Sequence, residues 1–222
     1  MRSDEIDAWQ VLGPDGLVDP ARVRVLRFDG ADTGQQALGH LAALVGCEPA
    51  TLPLANAVHG KPFLRGSDWR FNLSHSRGVR LLAIARGAEL GIDVERVRPL
   101  RQRTALLSRC FTVSEQARLA QASDRELLRH WAAKEALVKA IGRGIAYGLA
   151  RIEISCLPSG TLSIGRCEGP GGPATRWQLC ELPPIDGAVG MLVQPAPARP
   201  VDCWLVQTAT GAHSCSSYSA DV

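Results

Sequence analysis

After Pro99 the next fifty residues read as helical, and on both sides of them the pattern changes to short strands. Thr112 and Glu115 have the T-x-x-E spacing of a capping box before an amphipathic run to about Ala122. Asp124 is placed to cap a second helix, Arg125 to Ile141, which Gly142 and Gly144 end. Upstream, a strand is expected at Val23 to Phe28 and a helix at Gln35 to Val45, stopped by Gly46. The stretch Ala50 to Trp69 reads as irregular. Phe71 to Leu73 reads as a short strand ending in Ser74-His75-Ser76. Val79 to Ala85 and Leu90 to Val97 read as strands joined in hairpin style at Gly87-Ala88-Glu89. Downstream come strand candidates at Ile152 to Cys156, Leu162 to Cys167, Trp177 to Leu182, Ala188 to Val193 and Val201 to Gln207. Both halves pair a helical region with short strands, and the chain reads as turn-rich around Gly13-Pro14-Asp15-Gly16 and frayed over the last dozen residues.

A length of 222 residues suits one domain or two small ones, and 45% apolar residues suffice for a core. The net charge of +3 is too small to mark a nucleic-acid binder. It is unevenly spread, however: Gly60 to Arg143 holds 17 Lys plus Arg against 8 Asp plus Glu, a face suited to an anionic partner or simply to water. Seven cysteines with no C-x-x-C pair fit reduced thiols rather than disulfides or zinc. The acidic MRSDEIDAWQ start is no signal peptide, and no apolar run reaches membrane-spanning length. A soluble, cytoplasmic protein with no membrane or nucleic-acid partner is expected.

Asp93 and Glu95 lie two apart on an expected strand, so their side chains leave one face. Two charges about 4 Å apart repel by about 4 kcal/mol at an effective dielectric of about 20, so the pair calls for a cation, a shared proton or exposure. An exposed edge with Arg96 and Arg98 as partners satisfies the same pattern. Glu135 and Lys139 are one turn apart on a helix face with Trp131, the spacing also of an ordinary salt bridge. Three carboxylates from a strand and a helix suit Mg²⁺ completed by water and phosphate, although spacing leaves their convergence open. Ser74-His75-Ser76 offers donors for phosphate oxygens, but Ser74 lacks the G-x-S-x-G setting of a nucleophile. Gly142-Arg143-Gly144 follows a helix, whereas nucleotide-binding glycines open one. The three lysines are Lys61, Lys134 and Lys139 in a chain that otherwise writes Arg.

Read in order, Gly60-Lys61-Pro62, Phe71-Asn72-Leu73-Ser74-His75-Ser76, Gly91-Ile92-Asp93-Val94-Glu95, Phe111-Thr112 with Glu115, and Trp131-Ala132-Ala133-Lys134-Glu135-Ala136 with Lys139 resemble the surfactin-type branch of the 4′-phosphopantetheinyl transferases. That resemblance implies an α+β fold of two similar α/β subdomains related by a pseudo-twofold, with the active site in the cleft between them. The division would fall at residues 1–98 and 99–210, with a disordered tail over 211–222. It implies transfer of the phosphopantetheine arm of coenzyme A to a serine of an apo acyl or peptidyl carrier protein, by a monomer. Asp93, Glu95 and Glu135 would hold Mg²⁺, and Lys61, Ser74 and His75 the coenzyme's phosphates. Glu135 would be the base, and Lys139 would neutralise the departing phosphate. Glu115 is accounted for by capping and Trp131 by the core. The family's basic residues after an R-F-like segment are replaced here by Gln35, Gln36 and His40, which leaves Arg22, Arg24 or Arg27 to grip the 3′-phosphate. A metal-dependent phosphoesterase, or a non-catalytic module binding carriers or coenzyme A, would use the same residues.

Overall fold

The computed structural model describes residues 8–12 and 19–207, so the turn at Gly13 to Gly16, Cys215 and the tail 211–222 lie outside it. In chain order the elements are β1 (Gln10–Val11), β2 (Val23–Asp29), α1 (Thr33–Val45), β3 (Leu54–Asn56), β4 (Pro62–Leu64), β5 (Trp69–Ser76), β6 (Val79–Arg86) and β7 (Gly91–Arg96). There follow α2 (Arg103–Cys110), α3 (Val113–Leu119), α4 (Asp124–Ile141), β8 (Ile152–Cys156), β9 (Leu162–Cys167), β10 (Trp177–Glu181), β11 (Ala188–Pro195) and β12 (Val201–Val206).

The strands form a five-stranded sheet, β1-β12-β2-β6-β5, and a three-stranded antiparallel sheet, β10-β11-β7, beside the two ribbons β3-β4 and β8-β9. Period-2 alternation sorts the side chains of the larger sheet. Leu26 and Phe28 of β2, Phe71 of β5, and Leu82 and Ile84 of β6 meet Ala37 and Leu41 of α1. Their neighbours Val23, Val25, Val79, Leu81 and Ala83 face the other way, onto Ile92, Val94 and Leu192 of the second sheet. The far side of that second sheet, with Leu179, Val189, Met191 and Val193, packs on Ala132, Ala133, Ala136 and Leu137 of α4. Helix, sheet, sheet and helix therefore stack in that order, a mixed α/β architecture in which α1 and α4 are the outer layers.

The expected hairpin at Gly87-Ala88-Glu89 does not form: β6 stays in the first sheet while β7 leaves it to pair with β11. Alternation states which face of a strand is buried but not which strand lies beside it. The hairpin is instead β5-β6, turned by Arg77 and Gly78, both at positive φ (37° and 82°) as a tight two-residue turn requires. Two further differences lie upstream. The segment read as irregular contains the β3-β4 ribbon, whose three-residue strands are too short to show a period. The strand at Phe71 extends over eight residues and takes in Ser74, His75 and Ser76. A division of the chain at residue 98 cuts across both sheets, because β7 pairs with β11 and β12 returns to lie between β1 and β2.

Candidate active site

The site is made where β7 touches α4. Gly91 permits that contact, since a Cβ there would stand 2.0 Å from the Ala136 carbonyl oxygen and 2.4 Å from the Ala140 nitrogen. Alanines on this helix face keep the two backbones close. Ser123, rather than Asp124, is the helix N-cap and accepts from the Glu126 N–H, while Gly142 ends α4 at φ 76°. Lys61 ties the junction from outside: its ammonium donates to Glu89 Oε2 (2.7 Å) and to the carbonyls of Leu90 (3.1 Å) and Ala140 (3.3 Å).

Two residues beyond Gly91, Asp93 meets Lys139. The Lys139 ammonium donates to Asp93 Oδ1 at 2.7 Å, Ser74 Oγ at 3.0 Å and the Ile92 carbonyl at 3.1 Å. The Ser74 hydroxyl in turn donates to Asp93 Oδ1 at 2.7 Å. One oxygen of each of two acids remains unused, for Asp93 Oδ2 and Glu135 Oε1 are buried without a hydrogen-bond partner among the described residues. Burial pushes both carboxyls above the usual range. The charge of Asp93 adds to the rise at Glu135, Glu95 adds to it at both residues, and Lys139 opposes it. Asp93, Glu95 and Glu135 therefore share one electrostatic environment.

Glu95 is held to one side. Its Oε1 accepts from the Trp131 indole at 3.2 Å and its Oε2 from Arg98 at 2.9 Å. Among the described residues no three His, Cys, Asp or Glu side chains are grouped closely enough to hold a metal ion. Two of the three acids, Asp93 and Glu135, keep unspent oxygens, and the third, Glu95, is turned towards Trp131 and Arg98. Unpartnered carboxylate oxygens are acceptors only, and a buried site with two of them suits a divalent cation.

Ser74 and His75 do not form a joint phosphate grip, since neighbours on a strand leave opposite faces: Ser74 is buried against Asp93, and His75 is exposed. Glu115 is the capping residue expected, bonded to the Thr112 N–H, but it is also the fully buried partner of Lys134. Of the N-terminal arginines, Arg22 pairs with Asp202, Arg27 with Asp29, and Arg24 lies over the Trp204 ring. Beside the acids opens a cleft of about 1010 Å³ lined by Arg77, Arg98, Arg101, Arg109 and Trp131. The local surplus of basic residues pointed to this region, but only the fold shows which of them meet.

The chain matches the family model for the 4′-phosphopantetheinyl transferase superfamily over residues 89–185, the segment that contains β7 and α4. It is 35% identical to the 4′-phosphopantetheinyl transferase AcpT of Salmonella typhi over 166 residues, 71% of this chain and 85% of that protein. It is 34% identical to the 4′-phosphopantetheinyl transferase HetI of Nostoc sp. over 157 residues, 67% of this chain but only 63% of that one. A solved holo-ACP-synthase from Plasmodium yoelii is similar at 18% identity with a TM-score of 0.37, covering 48% of this chain and 92% of that one. On the strength of the match along most of AcpT, this chain belongs to the 4′-phosphopantetheinyl transferase superfamily.

Proposed function

We propose that the protein transfers the 4′-phosphopantetheine arm of coenzyme A to a serine hydroxyl of an apo acyl or peptidyl carrier protein, releasing adenosine 3′,5′-bisphosphate. Family membership supports the reaction class, and the observation that carries the site is the pair of buried, unpartnered oxygens on Asp93 and Glu135 beside the Lys139 ammonium. The carrier hydroxyl loses its proton to Glu135, whose carboxyl is raised above its ordinary range by burial and by Asp93, which strengthens it as a proton acceptor. The hydroxyl oxygen bonds to the β-phosphorus as the bridging P–O bond breaks. Lys139 neutralises the charge that appears on the leaving bisphosphate, since this chemistry is mostly positioning and charge compensation.

Asp93, Glu95 and Glu135 would hold Mg²⁺; bound there it supplies charge neutralisation at the pyrophosphate. Lys61 and His75 are assigned to the coenzyme's phosphates, and Ser74 to keeping Asp93 and Lys139 in place. The arginine-lined cleft suits an acidic partner entering beside Trp131. We also assign the chain to the surfactin-type branch as a monomer and read its two helix-covered sheets as the halves of a pseudo-twofold arrangement. No helix among the described residues is long and apolar enough to cross a membrane.

The test is the intact mass of purified apo carriers after incubation with the protein, coenzyme A and Mg²⁺. A gain of one phosphopantetheine, abolished by EDTA, is expected. Unmodified carriers of acyl, polyketide and peptide type would overturn the proposal. Release of adenosine bisphosphate without a carrier would point instead to a phosphoesterase.

A further inference from the structure

β5 is the edge of the first sheet and β7 the edge of the second, and they meet without a backbone ladder. Asn72, Ser74 and Ser76 alternate along β5 and so share one face. Across from them the N–H groups of Ile92, Val94 and Arg96 point out of β7. The Ile92 N–H donates to Asn72 Oδ1 at 2.8 Å, the Val94 N–H to Ser74 Oγ at 3.2 Å and the Arg96 N–H to Ser76 Oγ at 3.0 Å. Three side chains thus do what three carbonyls would do in a continuous sheet, and they do it while β5 and β7 remain in different layers. The residues that alternate with these donors are Asp93 and Glu95, so the height of the acids over α4 is fixed by the bonds that flank them.

We infer that Asn72 and Ser76 are positioning residues for the reaction proposed above, acting through a side-chain ladder that sets β7, and with it Asp93 and Glu95, against α4. Ser74 cannot do this alone. Its hydroxyl already donates to Asp93 and accepts from both Lys139 and Val94, which uses its proton and both lone pairs. The outer two rungs carry no contact to the acids and keep the strand from tilting about the central one. At the Ile92 end the rung is buried, so its loss would leave an unpaired donor in the interior.

The inference rests on the proposed transferase reading, and its test separates the two. Ser76→Ala is the first variant, because Ser76 is half-buried and its loss is mild for folding; Ser76→Thr keeps the hydroxyl. Asn72→Leu removes the buried rung, and Asn72→Asp returns an acceptor oxygen. Displaced acids with an intact coenzyme site should lower kcat about tenfold in Ser76→Ala and leave KM for coenzyme A within about twofold. Ser76→Thr should restore kcat. Hydrogen exchange of the β7 amides should speed up in Ser76→Ala, a readout that needs no turnover. Unchanged kcat overturns the inference, whether β7 exchange is unchanged or faster, since faster exchange alone marks a merely structural role. A wild-type protein inactive on every carrier overturns the transferase reading, and the inference with it, an outcome distinct from active variants.

Discussion

Two lysines little more than one turn apart on α4 each meet a carboxylate, and the two pairs differ in almost everything else. Lys134 and Glu115 are wholly buried and saturated. The Lys134 ammonium donates to Glu115 Oε2 (2.6 Å) and to the carbonyls of Cys110, Leu149 and Ile152, and lies over the Phe111 ring. Glu115 also accepts from the N–H groups of Thr112 and Ile154. One positive charge meets one negative charge, and every polar atom is used. At the second pair a single ammonium, Lys139, faces Asp93 with Glu135 close by, and two carboxylate oxygens are left over. The first arrangement is a strut that joins α2, α3, α4 and β8. The second sets two buried acids against one ammonium and leaves unspent acceptors, an arrangement suited to a ligand that brings positive charge.

The comparison can be broken most directly at its functional end. Glu135→Gln should lower carrier modification by about 10²- to 10⁴-fold, the range for removing a general base, with an unchanged circular dichroism spectrum. Retained turnover in the mass assay would remove Glu135 from the site. At the structural end, Glu115→Gln leaves the Lys134 charge buried with only neutral partners, and should cost about 3–5 kcal/mol in urea unfolding. Activity per folded molecule should survive, since Glu115 touches nothing in the cleft. A loss of under about 1 kcal/mol would mean that the three carbonyls around Lys134 suffice without the ion pair. Gly91→Ala forces a Cβ into the α4 backbone, with an expected destabilisation of about 1–3 kcal/mol and a fall in turnover as β7 lifts from the helix. Full activity in that variant would show that the acids do not depend on this contact.

The helices were legible because their signals are local: the Thr112 capping box, the helical spacing in α4 and the Gly142 stop all appear where expected. Asp93 and Glu95 could be assigned to one face from a period of two, and Glu135 and Lys139 from a turn of helix. What the sequence did not reveal was non-local. Nothing in Gly87-Ala88-Glu89 says that the chain changes sheets there, and nothing in Ser74-His75 says that one neighbour is buried while the other faces solvent. The difference between Lys134 and Lys139 was equally hidden. Both sit in the same motif beside plausible partners, and only burial separates the saturated pair from the deficient one. The N-x-S-x-S pattern of β5 carried a readable sign, since polar residues alternating in a strand ask where their hydrogen bonds go.

The smallest expected effect sharpens the contrast most, because the two glutamates should differ in sign. The carboxyl of Glu135 is raised chiefly by burial and then by Asp93, so ionising it costs the folded state something the unfolded chain does not pay. That cost is absent below the ordinary Glu range near about pH 4 and grows as pH rises through the unfolded pKa towards the folded one. It stays in full above the folded value. In EDTA and without coenzyme A, Glu135→Gln should therefore be more stable than the parent at neutral pH, by a modest shift in urea midpoint. The gain should vanish as the pH falls below about 4, where both proteins carry a neutral group at this position. Removing Glu115 should destabilise while removing Glu135 stabilises, although both are carboxylates near a lysine of the same helix. If Glu135→Gln loses stability at neutral pH, the carboxylate is satisfied by something in the folded chain, and the reading of its free oxygen as a ligand position fails.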